Sequence, residues 1–385
     1  MNPAKFILIE PCNFVDHPAG GQLNFARLLL QLYQGEIATV GNTFDPSEPV
    51  GRWFEKTGNG YSRMHFNLRC IKGTGVGSKI PGRLISFFLV KKYCKAILQH
   101  PCRRLFIQEP AVLMALRRND WDSICYRFPG VSSALKISRF KWAKPFSQIF
   151  DWMFFRATNK ADVILASADQ EAIDEMVCRS GRYLKNREIV FFPTRVDTSI
   201  FSTRHINAQR SRPVELVSSG RLHWAKGWDL ILRALAFLQN ELDFRYTYIG
   251  DGSERDAFLN LAKELGLEGR VQLTGFALPE KVADHLRRAD LYLMGSIVEG
   301  WPTTLVEAYA TGLPMVCTEV SGAKTIIQEG VNGYICVGRD PEEYARNIRK
   351  ALALDPTIVL RTVDVAPYAA NTLKSDLERL WMCQG

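Results

Sequence analysis

Short apolar runs alternate with amphipathic stretches along most of this chain. Residues 5–9 (KFILI) predict a buried strand, and a loop over 11–21 leads into a helical pattern at 22–33. Strand patterns recur at 37–40, 104–107, 124–128, 162–166 and 189–192, with helical patterns at 81–99, 145–159 and 168–178. Residues 43–82, rich in Gly and polar side chains, predict loop. Residues 193–213 have little periodicity and read as a linker. A second alternation starts at 214, with strands at 214–218, 245–249, 270–274, 291–294, 315–318 and 334–337. Helical patterns lie between them at 228–239, 254–265, 279–288, 304–310 and 341–353, and a last one at 371–383. Such alternation predicts the α/β class, with parallel sheets covered by helices. We therefore expect two Rossmann-like parallel-sheet domains facing a central cleft, with ligand beyond the carboxyl ends of the strands. The expected boundaries are 1–195 for a first domain, 196–213 for the linker and 214–365 for a second domain. A C-terminal helix, 366–385, is expected to pack back on the first domain.

Composition narrows this picture. At 385 residues the chain exceeds one typical core, and 46% hydrophobic with 23% charged residues is ordinary for a soluble protein. Nine cysteines without C-x-x-C spacing fit buried thiols in a reducing compartment. The apolar run in MNPAKFILIEP is too short for a signal peptide, and the best internal run, 84–90, is far too short to cross a bilayer. The expected location is cytoplasmic. The net charge of +9 favours an anionic partner. It is concentrated in the first half, where only Glu109, Asp120, Asp122 and Asp151 are acidic between Arg63 and Lys160. Residues 79–99 and 139–156 interleave Lys and Arg with Phe, Trp, Ile and Leu. Two readings stay open: docking on the inner, anionic face of a membrane, or core helices with a solvated basic side. Nucleic acid is not expected, since no binding motif accompanies the charge.

The residues suited to chemistry cluster in the second half. In GSIVEGWPTTLVEAYATG (295–312), Glu299 and Glu307 flank Gly300, Trp301, Pro302, Thr303 and Thr304, between a strand pattern and a helical one that starts near Leu305. A strand entering a glycine turn and then a helix presents backbone N–H groups to an anion, and the carboxylates can accept from hydroxyls. Arg221 and Lys226 sit on a strand-to-helix loop, either converging on a phosphate or standing as solvated cations, with His223 between them. Gly20 and Gly21 precede the first helix, as a phosphate approach or a simple turn, with His17 in the same loop. Gly250-Asp251-Gly252 lacks the third glycine of a dinucleotide fingerprint. Asp120-Trp121-Asp122 is too short a match to argue for a metal. No Walker loop, zincin helix or nucleophile elbow is present.

These motifs together resemble the retaining glycosyltransferases of family 4, which have the two-domain GT-B fold. The resemblance is carried by GRLHWAKG (220–227), IGDG (249–252), VQLTGF (271–276), EGWPTTLVEAYATGLPMV (299–316) and SGAKTIIQEGVNGYI (321–335), with looser support at 161–167 and 196–201. It implies transfer of a hexose from a nucleotide-sugar, UDP- or GDP-linked, to a glycan or lipid-linked acceptor in surface polysaccharide or glycolipid synthesis. It further implies Arg221 and Lys226 on the diphosphate, Glu307 on the ribose, Glu299 on the donor sugar, and the amides of 301–305 on the phosphates. Gly20, Gly21 and Gly250 would complete the donor site. No metal and no cofactor beyond the donor substrate are implied. One departure stands out: many members carry a histidine after an N-domain strand, and here the strand at 124–128 runs into Pro129-Gly130 without one. A sugar-nucleotide epimerase on the same fold, or a non-catalytic nucleotide-sugar-binding protein, remain the competing functions.

Overall fold

The computed structural model describes residues 3–15, 21–58, 60–71, 81–130, 145–204 and 213–383. The chain divides into two units, Met1–Thr194 with Asn371–Gly385, and Arg195–Ala370. In the first unit the elements run β1 (Ile7–Ile9), α1 (Gly21–Tyr33), β2 (Ala38–Thr43), β3 (Trp53–Gly58), β4 (Tyr61–Cys70), α2 (Gly82–Ile97), β5 (Arg104–Ile107) and α3 (Pro110–Ala115). They continue as β6 (Ser123–Phe128), α4 (Ser147–Thr158), β7 (Val163–Ala166), α5 (Gln170–Ser180) and β8 (Val190–Phe191). The sheet order is β3-β4-β2-β1-β5-β6-β7-β8, parallel except for the β3–β4 pair.

Both faces of this sheet are buried, so its strands are apolar at successive positions. Ile7, Ile9, Leu105, Ile107, Ile124 and Tyr126 point into a core closed by α2–α5. Phe6, Leu8, Phe106 and Cys125 point the other way, into a core closed by α1 and the chain's C-terminal segment. Residues 43–82 are not mainly loop. They contain the antiparallel β3–β4 pair, in register from Trp53↔Phe66 to Gly58↔Tyr61. One face of β4 carries Phe66 and Leu68 into the core; the other buries His65 and Asn67. His65 bonds Thr39 Oγ1 at 2.7 Å and Asn67 Oδ1 at 2.9 Å, and Asn67 donates to Glu48 Oε2 at 3.1 Å. Buried polar side chains at these alternate positions hide the strand from a hydrophobicity pattern.

The second unit runs β9 (Val214–Ser219), α6 (Trp228–Leu238), β10 (Phe244–Ile249), α7 (Arg255–Glu264), β11 (Val271–Leu273), α8 (Pro279–Arg288), β12 (Leu291–Met294), α9 (Thr303–Ala310), β13 (Met315–Thr318), α10 (Ala323–Ile326), β14 (Gly333–Cys336), α11 (Pro341–Leu352) and α12 (Pro356–Arg361). Its sheet is parallel in the order β11-β10-β9-β12-β13-β14. Leu216, Tyr246, Leu291, Leu293 and Val316 face α6, α7 and α11, while Val217, Tyr292, Met294 and Met315 face α8, α9 and α10. The first residues of the expected linker belong to this unit. Val196 donates to Tyr368 O at 2.8 Å and accepts from Ala370 N at 2.9 Å, and Arg204 N donates to Thr311 O at 3.0 Å. Phe201 is buried with them. Residues 205–212 lie outside the described ones.

The expected final helix is shared. Tyr368 packs within the second unit, whereas α13 (Leu373–Leu377) and the π turn after it pack within the first. Trp381 lies 5.4 Å from Phe6 and 6.2 Å from Phe106, ring centre to ring centre, and its Nε1 donates to Ser123 Oγ at 2.7 Å. Lys5 pairs with Glu378, and Lys374 with Glu36, both at 2.8–2.9 Å. Trp381→Ala removes that ring from a closed core and should destabilise the chain by about 3–5 kcal/mol. Denaturant unfolding measures this; a loss below about 1 kcal/mol would mean the segment is not part of the first core.

Candidate active site

The strand order of the second sheet reverses at β9 and β12, neighbours whose following loops leave in one direction. At such a reversal a crevice opens beyond the carboxyl ends of the strands. Arg221 and Lys226 are on the β9 loop, and Glu299 is on the β12 loop. The two loops touch through backbone. Gly227, at φ 56°, starts α6, and a Cβ there would sit 1.8 Å from Gly295 O. Ile297 N donates to Ala225 O at 2.8 Å, and His223 Nδ1 accepts from Ala225 N at 3.3 Å, closing the short turn that presents Lys226. Gly250, at φ 149°, braces the same loop from β10: a Cβ on it would lie 1.8 Å from Gly220 O.

Lys226 Nζ and Glu299 Oε1 are 2.5 Å apart, and Ser296 Oγ donates to that same oxygen at 2.7 Å. Ser296 is buried, and its carbonyl accepts from Thr318 Oγ1 at 2.5 Å. Glu307, on α9, also feels the Lys226 charge. Burial pushes the Glu307 carboxyl up to about 8, with Lys226 opposing the rise. Part of the side chain still reaches solvent, so a ligand has access to it. Helix α9 begins with Pro302 at the N-cap and no side-chain cap. The amides of Leu305 and Val306 donate to Pro302 O at 3.0 and 3.2 Å. The Leu305 amide is thus engaged within the helix, and those of Thr303 and Thr304 are the ones no helical carbonyl can take. The side chains of Trp301 and Leu305 belong to the core, Trp301 being 5.9 Å from Tyr368, so here only main chain can meet a ligand.

The other predicted residues are less gathered. The Arg221 side chain is exposed and makes no ion pair among the described residues. Gly21 opens α1 in the first unit, where a Cβ would meet nothing within 4 Å. Gly20 and His17 lie outside the described residues, as do 139–144 of the basic-aromatic stretch. Asp120-Trp121-Asp122 is structural: Trp121 is buried, and Asp120 accepts from Cys94 Sγ at 3.9 Å.

Sequence reasoning missed two sets of residues. Arg339 donates from Nη1 to Gly295 O and from Nη2 to Asp229 Oδ1, each at 2.8 Å. It thereby clamps the Gly227–Gly295 crossing, and 110 residues separate it from Asp229, so no local pattern reveals it. In the first unit, Glu10 follows β1, and Gln108 and Glu109 follow β5, the adjacent strands at which that sheet's order reverses. Gln108 donates to Glu10 Oε2 at 3.3 Å and accepts from Arg127 at 2.7 Å; Arg127 also donates to Ser167 and Thr194, both at 2.9 Å. Burial, aided by the Glu109 charge, pushes Glu10 up to about 8. Each of these residues reads singly as an ordinary polar side chain at a strand end.

Residues 200–360 match the family model described as glycosyl transferases group 1. The matched stretch lies within the second unit. Among curated relatives, the D-inositol 3-phosphate glycosyltransferase of Nocardiopsis dassonvillei is 27% identical over 230 residues, covering 56% of this chain and 53% of its own. The putative colanic acid biosynthesis glycosyltransferase WcaL of Escherichia coli K12 is 32% identical over 165 residues, 41% of this chain and 39% of that one. The chain spans about half the length of such relatives or less. Solved structures match almost end to end. Sucrose-phosphate synthase of Thermosynechococcus elongatus has a TM-score of 0.76 at 17% identity, covering 97% of both chains. Anabaena HepE, solved with UDP and glucose, has a TM-score of 0.71 at 17% identity, covering 98% of both. The fold of this chain is theirs: GT-B, with two parallel-sheet Rossmann-like domains.

The Glu307 shift fixes a pH dependence. Its folded carboxyl keeps the proton up to about 8 while the unfolded chain releases it near the ordinary glutamate value of 4.5. Unfolding therefore releases a proton in that window, and stability falls as pH rises through it. Glu307→Gln cannot titrate, so it should gain on wild type by about 2–4 kcal/mol between pH 4.5 and pH 8. Glu10 titrates in both proteins and cancels in the difference. Parallel stability–pH curves for the two proteins would refute the shift.

Proposed function

We propose that this chain transfers a hexose from a UDP- or GDP-sugar to a glycan or lipid-linked acceptor, retaining anomeric configuration, in surface polysaccharide or glycolipid synthesis. The observation that carries the reading is the Lys226–Glu299 pair beside the strand-order reversal, with the uncapped start of α9 following Glu299 in the chain and Glu307 under the influence of the Lys226 charge. Breaking a sugar–phosphate bond leaves negative charge on the diphosphate and positive character on the sugar. Lys226, Arg221 and the Thr303 and Thr304 amides supply fixed positive potential for the leaving group. Glu299 holds a donor-sugar hydroxyl, and Glu307 holds the ribose; as a carboxyl protonated near neutral pH it can both donate to and accept from that diol. Before donor arrives, Lys226 is held by Glu299 at 2.5 Å, so the incoming phosphate has to share the ammonium rather than meet it free. The leaving phosphate oxygen takes the acceptor proton, which dispenses with a protein base, and Lys226, Arg221 and the α9 amides carry the leaving charge that a metal would otherwise neutralise. The buried polar groups at Glu10, Gln108 and Glu109 suit an acceptor rich in hydroxyls. HepE, a fold neighbour solved with UDP-glucose, supports a nucleotide-sugar as the donor class.

A thermal-shift series with UDP- and GDP-hexoses identifies the donor, since a ligand that binds only the folded state raises apparent stability. With that donor, Lys226→Ala and Arg221→Ala should each lower turnover by about 10²–10³. Transfer near the wild-type rate in both variants would sink the reading. Donor consumed without any acceptor would assign an epimerase, and binding without turnover a non-catalytic protein.

A further inference from the structure

Helices α2 and α4 both pack against α3 on one face of the first sheet, and their outer sides are unusual for a buried layer's solvent face. Helix α4 exposes Ile149 (59%), Trp152 (53%) and Met153 (44%), with Phe146 (54%) just before it. Ile149 and Met153 are one turn apart, as are Trp152 and Arg156, whose guanidinium lies 5.8 Å from the indole. Leu84 and Phe88 form a similar pair on α2, followed by exposed Lys91, Lys92 and Lys95. No acid offsets these charges on the helices. Helix α2 contains no Asp or Glu, and the one acid of α4, Asp151, is buried with Arg179 Nε at 3.4 Å. Beside the apolar ridge of α4 opens a cavity of about 470 Å³ lined by Trp152, Arg156, Asn159, Arg182 and Tyr183. Arg182 stacks over Tyr183 at 5.4 Å, so two guanidinium groups and two aromatic walls face one opening without a carboxylate among its lining residues.

We infer that this face docks on the anionic surface of a phospholipid bilayer, with Arg156 and Arg182 taking a lipid phosphate and Ile149, Trp152 and Met153 entering the acyl boundary. Charge and polarity together select that occupant. A soluble phosphate would use the arginines and leave the apolar ridge in water, whereas a bilayer offers phosphate and hydrocarbon side by side at the spacing of one helix face. Indole and guanidinium groups are suited to that boundary, with polar tips and apolar bodies. No described helix is long and apolar enough to cross a membrane, so the contact is peripheral. The inference stands apart from the proposed transfer reaction, because none of these residues belongs to the corner at Lys226 and Glu299.

Sedimentation of the full chain with phosphatidylcholine vesicles, with and without phosphatidylglycerol, tests it. Binding to the phosphatidylglycerol vesicles should be about tenfold the stronger and should weaken as salt is raised. Arg156→Glu with Arg182→Glu should abolish that preference. Ile149→Ser with Met153→Ser should cut binding about tenfold at unchanged unfolding midpoint, since these side chains are already exposed. Equal binding to the two kinds of vesicle, or charge-reversed protein that binds like wild type, would overturn the proposal. So would displacement by millimolar inorganic phosphate, or a face that instead pairs two copies of the chain in sedimentation velocity.

Discussion

The second unit's site rests on one close approach, the crossing of main chain at Gly227 and Gly295. Neither position has room for a Cβ, whose nearest neighbour would lie within 1.8–2.3 Å. The contact is what lets the turn after β9 and the turn after β12 hold Lys226 and Glu299 at bonding distance, because each functional residue lies within a few positions of its glycine. Arg339 closes the arrangement from a third segment, taking the Gly295 carbonyl with one nitrogen and Asp229 with another. A buried carbonyl that met no donor would cost stability, so the same bond both satisfies the crossing and orients it. The Ser296–Thr318 bond does the equivalent work on the far side.

Much of this was legible in the order of residues. Strands such as 291–294 and 315–318 carry unbroken apolar runs because both faces of a parallel sheet are covered, and they appear at those residues. The helices that carry periodic apolar faces, such as α8 and α11, were equally legible. The failures have a common physical origin. The β3–β4 hairpin puts His65 and Asn67 inside, and a period-two pattern with buried polar members reads as loop. Helix α3 is six residues long and starts at a proline, too short for a helical period to show. Residues 196–204 look irregular because their order comes from contacts with Tyr368, Ala370 and Thr311, which lie more than a hundred positions away.

The site divides along the same line. The residues around Lys226 and Glu299 lie in two compact stretches, 220–227 and 299–307, where a strand, a turn and a helix start are adjacent in sequence and can be read together. Which amides stay open at the start of α9 is not legible there, because a helix withdraws its own later amides, a count that needs the N-cap to be known. Arg339 escaped because its partners, Gly295 after β12 and Asp229 of α6, are far from it in sequence, and the Glu10–Gln108–Arg127 group because strands β1, β5 and β6 are neighbours in space and scattered in sequence.

The two sheets nonetheless obey one rule. In each, the order reverses between adjacent parallel strands, β1 with β5 and β9 with β12, and in each the polar side chains collect just beyond the carboxyl ends of that pair. Both corners contain a carboxyl pushed up to about 8, Glu10 in one and Glu307 in the other. The causes differ in an instructive way. Glu10 has a second acid, Glu109, raising it further, whereas Glu307 has Lys226 pulling it down. An anionic ligand arriving at Lys226 would offset that cation and favour the protonated Glu307, the form able to donate to a sugar hydroxyl. A neutral, hydroxyl-rich ligand at Glu10 would meet no compensating cation of that kind beyond Arg127 and Arg83, which are already engaged in the fold. The corner at Glu307 thus sits beside a side-chain ammonium already shared with Glu299, and the corner at Glu10 beside guanidinium groups bound into the fold.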